Sequence, residues 1–265
     1  MAKSKIIKDL ATGICGLDVA LNRLYLISTS IQDNKVSEWI KRELNGYGEE
    51  DELPHYRQVK ARLAGDYQTV GWGKIWTSTH VELPTICFKD EELDEARTYN
   101  VTMSIVTIIE GLKKPEYALI SPLPVSWYPL FEAGTTVHVT NAYREITQAQ
   151  IDKIVQTVKT RVLDSLVFLE NKFGCLDDLD IDVDKYEESD ISSIQEKCAQ
   201  IVYNGCTFND FTKAKMKNSN VGNDNTLTQQ TKVEISPTVS INNNKKSLIS
   251  RIFSKLFNRS TSNEE

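Results

Sequence analysis

One stretch of this chain admits few alternatives. Thr147-Gln148-Ala149-Gln150 has the form of a capping box, in which a Thr hydroxyl and a Gln side chain three residues later satisfy each other's backbone N–H groups. Behind it Ile151, Ile154, Val155, Val158, Val162, Leu166 and Leu169 recur at helical spacing, and Gly174 follows as a stop. The pattern predicts a helix over 147–173. At ~1.5 Å per residue it is about 40 Å long, enough to cross a small domain. Whatever else the chain forms has to be laid along that rod.

Two more helices are predicted near the start. Leu17, Ala20, Leu21, Leu24 and Ile27 share a face over 17–31, and Val36, Trp39, Ile40 and Leu44 share one over 35–44. Gln32-Asp33-Asn34 reads as the turn of an antiparallel helical hairpin, and Gly46 ends its second arm. Residues 1–10 carry lysines but no apolar core, so they do not read as a secretory signal. Residues 47–56 read as an acidic, proline-punctuated loop.

From Gln58 the period changes to two. Val59, Ala61 and Leu63 alternate with Lys60 and Arg62, as on a half-buried strand. Residues 68–83 continue in the same style, with bends at Gly71 and Gly73. Helices are expected at 89–97, 101–113, 125–131 and 191–203, and strands at 117–120 and 135–141. The expected class is α+β: an N-terminal helical hairpin, a small mainly antiparallel sheet, a long helix closing the body, then a flexible tail.

The tail announces itself by composition. From Lys213 to Asn244, Asn, Thr, Ser and Gln dominate, and such a stretch buries too little to offset its ordering entropy. Val233, Ile235, Val239 and Ile241 alternate within it, as a strand would beside a partner edge. Residues 245–259 then place Leu248, Ile249, Ile252, Phe253, Leu256 and Phe257 on one helical stripe, with Arg251 and Lys255 among the only charges and no acid. A basic amphipathic helix of this kind fits an anionic membrane surface, a groove on a partner or a second copy, or the acidic body itself. The expected organisation is a body over 1–212, a polar linker over 213–244 and this helix over 245–259.

Chemistry is harder to find. The five cysteines form no CxxC pair and suggest a reducing compartment. No apolar run is long enough to span a bilayer, so the body is expected in the cytoplasm, with peripheral inner-membrane contact open to the helix at 245–259. His55, His80 and His138 sit in no metalloprotease or other ligand pattern, and no nucleophile elbow, phosphate loop or dinucleotide fingerprint appears. No cofactor or metal is expected. Asp180, Asp182 and Asp184 alternate as in a calcium loop, but Lys185 holds the place of its glycine, and residues 177–190 read as a solvated acidic connector. The net charge of −6 argues against a nucleic-acid partner for the whole chain. Tyr67, Trp72 and Trp76 with Lys60, Arg62 and Lys74 have the composition of a single-strand binding face, but the expectation is a sheet that packs its aromatics inward.

Two distant blocks carry a resemblance. Trp39 to Tyr47 (WIKRELNGY) is followed by Asp51 to Arg57 (DELPHYR), a basic strand and Gly65. Tyr143 to Thr147 (YREIT) later leads into Val158 to Asp164 (VKTRVLD). This order resembles the AbiTii-type domain of bacterial abortive-infection proteins, over about residues 5–173. The resemblance implies a part in defence against phage, in which an infected cell stops growing or dies before progeny emerge. It carries no catalytic residues. Asn45, Tyr56, Arg57, Arg144 and Arg161 are taken as a candidate functional surface. A structural reading stands beside it, with Gly46 and Pro54 shaping backbone, Trp39 and Tyr56 in the core, and Arg57 and Arg161 pairing with acids such as Glu43 or Asp164. The leading expectation is a non-enzymatic sensor or effector acting through a partner, self-association or membrane contact. The alternatives are a nuclease-like toxin built on Asp51, Glu52, Arg57 and Arg161, or an oligomerisation module.

Overall fold

The long helix is where its capping box puts it. A computed structural model describes residues 3–114, 118–178, 181 and 183–204, so the linker and the helix expected at 245–259 lie outside the described residues. Within it α7 (Gln148–Phe173) begins at Thr147, whose hydroxyl accepts the Gln150 N–H while Gln150 Oε1 accepts the Thr147 N–H at 3.0 Å. Its buried residues include Ile151, Ile154, Val158, Val162, Leu166 and Leu169 of the predicted stripe, while Val155 is half-buried.

Around this rod stand α1 (Lys5–Thr12), α2 (Leu17–Ser30), α3 (Asn34–Asn45), α5 (Ile105–Leu112) and α8 (Glu188–Asn204). The hairpin of α2 and α3 is as expected, with Asp33 capping α3 by accepting the Val36 N–H at 3.1 Å. The first helix is an addition. Its eight residues offer only Ile6, Ile7 and Leu10 to the core, too short a run to show a period. It is anchored by Ser4, whose N–H and hydroxyl both donate to Glu170, with Lys3 Nζ 2.7 Å from the other carboxylate oxygen. Burial pushes the Glu170 carboxyl up, but these donors outweigh it and hold the pKa below its ordinary value.

Among the described residues, two antiparallel sheets lie beside the helices. β1 (Gln58–Lys60) pairs with β4 (Thr98–Asn100), and a four-stranded sheet runs in the order β3 (Lys74–Glu82), β2 (Arg62–Gly71), β6 (Val137–Ile146), β5 (Leu119–Pro122). The alternation read from 59 to 63 is real, but Ala61 breaks it between the two sheets by donating its N–H to Arg97 O at 2.7 Å. A second, smaller core forms where α4 (Asp90–Arg97) and α6 (Tyr128–Glu132) meet the large sheet around Leu63, Leu123, Trp127, Phe131 and Val139.

Three expectations need correction. The helix expected over 101–113 starts only at Ile105, capped by Ser104. Val101 to Met103 precede it, and their carbonyls are used elsewhere. The strand expected at 135–141 is β6 (Val137–Ile146), so it starts two residues later and takes in the YREI block. The third concerns the aromatics at 67–76. Only Tyr67 packs against the second core. Trp72 and Trp76 are exposed, because β3 is an edge strand and β6 stops pairing with β2 at Thr69, leaving the end of the β2–β3 hairpin with no third strand.

Gly65 marks the closest approach between β2 and β6. A Cβ there would run into the Asn141 carbonyl oxygen and stand 3.1 Å from Ala142 Cα. Gly65→Ala is expected to lower stability by about 1–3 kcal/mol, read as a lower urea midpoint. An unchanged midpoint would mean that the two strands can part at this rung.

Candidate functional site

The residues of the ELNGY and LPxYR blocks come together in one buried knot. Helix α3 supplies Trp39 and Glu43 on its inner face. Gly46, at φ 94, turns the chain sharply after the helix, and its Cβ would stand 2.9 Å from Thr102 O. That turn brings Tyr47 back over the end of α3. Pro54 opens a 3₁₀ turn (His55–Arg57) that presents Tyr56 and Arg57 to the same point.

Glu43 is the centre. Its Oε1 accepts from Tyr47 Oη at 2.6 Å, Tyr56 Oη at 2.5 Å and Arg57 Nε at 3.2 Å, and its Oε2 accepts from Arg57 Nη2 at 2.5 Å. Trp39 Nε1 donates to Tyr56 Oη at 2.9 Å. The remaining Arg57 nitrogen donates to the carbonyls of Val101 and Met103 at 3.2 and 2.5 Å. Those carbonyls are free because the helix does not start until Ile105. Both side chains of the Glu43–Arg57 pair have zero solvent exposure. Every polar atom of the pair is therefore met from within.

The electrostatics follow. Burial pushes the Tyr47 and Tyr56 phenols far above their ordinary values, and the Glu43 charge adds to this, so both stay protonated as donors. Burial opposes the Arg57 charge, but Glu43 beside it outweighs that and raises the guanidinium pKa. Arg161 approaches from α7 with its guanidinium 4.1 Å from the Tyr56 ring centroid. Its Nη1 donates to Val202 O, which ties α7 to α8, and burial lowers its pKa.

The other candidates do not join this group. Asn45 is exposed at the end of α3. Arg144 lies on β6, where Nε donates to Ala96 O at 2.6 Å and the guanidinium carbon is 5.6 Å from the Trp127 ring, so it fastens α4 to the sheet. Asp51 forms a surface ion pair with Arg42 at 2.9 Å, and Glu52 is exposed. The carboxylates and arginines named for a nuclease share no cleft, since Arg57 is sealed inside. Of the five proposed surface residues, Arg57 is interior, Tyr56, Arg144 and Arg161 are half-buried, and Asn45 is exposed. The involvement of Tyr47 and Trp39 with Glu43 was signalled only by their place in the motif.

Beside the knot a shallow hollow of about 250 Å³ is lined by His55, Tyr56, Gln58, Val59, Lys60, Gln150, Lys153 and Thr157. Lys60 in its wall is paired with Asp94 at 2.5 Å. Among the described residues no three His, Cys, Asp or Glu side chains stand close enough to hold a metal ion. Among the same residues no helix is long and apolar enough to cross a membrane. Cys198 is buried, and that burial, with Asp33 nearby, pushes its thiol far up, which leaves it a poor nucleophile. His80 is different from the other histidines. It sits at φ 56 in a bulge of β3 opposite Asp66, with Nδ1 2.7 Å from Tyr143 Oη and Nε2 3.4 Å from Glu145.

No curated protein and no solved structure matches the chain. A family model described as AbiTii matches residues 4–195, which takes in the knot, both sheets and the first half of α8. With most of its length covered by that match, the chain belongs to the AbiTii family.

Proposed function

We propose that this chain serves abortive-infection defence as a non-catalytic component that works by contact. Its body recognises a phage or host component, and residues 245–259 carry the output to a protein partner or to the inner-membrane surface. The family supplies the biological context, since AbiTii points to abortive infection against phage. The observation that carries the non-catalytic reading is the Glu43–Arg57 knot. Its carboxylate and guanidinium are turned on each other with no exposed face and the two phenols donate inward to the same carboxylate, which is how a fold is held and not how a substrate is met. The nucleic-acid reading loses support for the same kind of reason: Lys60 is paired with Asp94 and Arg62 with Glu145.

A catalytic reading has one observation in its favour, the strained His80 between Tyr143 and Glu145. A plaque assay on three proteins separates the two. Deleting residues 245–265 is expected to leave a folded body and to abolish protection, while His80→Ala protects as well as the full chain. Full protection by the truncated protein would overturn the contact reading. Loss of protection by a folded His80→Ala protein would move the function to chemistry on the sheet.

A further inference from the structure

The end of the β2–β3 hairpin is built against the usual rules. Its turn is Trp72-Gly73, with φ 56 and 71, the geometry of a type I′ turn whose first position is commonly Asn, Asp or Gly. A bulky residue in the left-handed region is an outlier, because its Cβ crowds the backbone. Trp72 is also 100% exposed, so no packing offsets that strain. Folding alone gives no reason for Trp at this position.

Its neighbours share the character. Val70 is 71% exposed, Ile75 65% and Trp76 49%. Val70 is paired with Ile75 and projects to one face of the ribbon, while Trp76 lies on the other, its ring 3.0 Å from where a Gly71 Cβ would be. The tip is thus apolar on both faces and at its end. Between Asp66 and His80 the only charge is Lys74, in a chain of net charge −6. Exposed Ile86 stands at the same end of the sheet. Its neighbour Cys87 donates to Ala133 O at 3.2 Å, against the turn that leads into β6 at Val137, the partner of Thr69.

We propose that this hairpin tip inserts end-on into the headgroup boundary of an anionic bilayer, with Trp72, Ile75, Trp76 and Val70 in the interfacial layer and Lys74 among the phosphates. A flat protein surface covers one face of a ribbon and leaves the other wet, whereas a bilayer surrounds it. Two rungs and a turn also offer far less than the ~800 Å² per side of a stable protein interface. Tryptophan favours the membrane interface, where its ring is half in hydrocarbon and its N–H is hydrated. A lone lysine with no acid beside it suits anionic headgroups, but one cation is too few to track a nucleic-acid backbone. This contact is separate from residues 245–259 and stands or falls without them.

The chain's own tryptophans provide the test. Of the four, Trp39 and Trp127 are buried, Trp72 and Trp76 are at the tip, and none lies in 245–259. Full-length protein is mixed with phosphatidylcholine vesicles containing phosphatidylglycerol, with plain or brominated acyl chains. Brominated chains are expected to quench the tryptophan emission, and Trp72→Ser/Trp76→Ser is expected to remove the quenching and to lower vesicle partitioning by about tenfold. Lys74→Ala is expected to weaken partitioning about fivefold, only when phosphatidylglycerol is present. Flotation without quenching, unchanged by the double variant, would overturn the proposal and leave any binding to the tail. A single-strand oligonucleotide contact or self-association that the double variant abolishes, with no quenching by brominated lipid, would overturn it in favour of those occupants.

Discussion

Glu43→Ala is expected to cost about 3–5 kcal/mol of folding stability, because it strands the Arg57 charge in a site closed to solvent. Arg57 has zero exposure, and two of its nitrogens lose their acceptor together. Tyr47 and Tyr56 lose the oxygen to which both donate, so the damage spreads to the chain after α3 and to the turn before β1. The measurement is the urea midpoint of purified protein, with Arg57→Ala and the double Ala variant beside it. The double variant is expected to be much less destabilised than the sum of the two singles, since it removes the lone buried charge. Costs that simply add would mean that Glu43 and Arg57 act independently. Glu43→Leu/Arg57→Met goes further and is expected to recover most of the loss, as apolar replacements of buried ion pairs commonly do.

Phe131→Ala is expected to cost about 3–5 kcal/mol in the second core. Phe131 has no exposed surface, its ring centroid is 5.0 Å from that of Phe88, and it packs among Trp127, Val139 and Leu123. This core is much smaller than the helical one, so little is available to close the hole. The unfolding transition is nevertheless expected to shift as one, because β1 and β2 carry the chain from one core to the other with only Ala61 between them. Hydrogen exchange separates the alternatives. Protection lost in β2 and β6 while α7 keeps its own would show that the sheet melts alone.

The elements most legible in the sequence were those whose caps and periods agree. Thr147 and Gln150 fixed the start of α7, and its stripe did the rest. The α2–α3 hairpin was readable for the same reason. Alternation found the strands, but it says only that a strand has two faces, not that it lies at an edge. Trp72 and Trp76 were therefore expected inside, and the place of β3 in the sheet puts them outside. Val101 to Met103 look like the first turn of a helix because their side chains suit one. Their carbonyls are claimed by Gly46's neighbour Tyr47 and by Arg57, whose positions are set by residues more than forty places earlier.

The knot itself was half visible. The motif named Tyr56, Arg57 and Arg161, and a pairing of Arg57 with Glu43 was one of two readings open. Nothing in the spacing separates a guanidinium that meets a carboxylate inside from one that meets a ligand outside. That choice is made by burial, which depends on α3, the 3₁₀ turn and the Val101–Met103 segment closing together. Arg144 shares the motif but serves a different joint, between α4 and the sheet.

The run from Gln58 to Gly71 has a mechanical meaning. At ~3.3 Å per residue it is a strut of about 45 Å, with the sealed Arg57 at one end and the bare Trp72 at the other. Only Ala61 and the bulge between Gly65 and Tyr67 interrupt it. A push or pull on the tip has no loop in which to dissipate before it reaches the sealed Glu43–Arg57 pair.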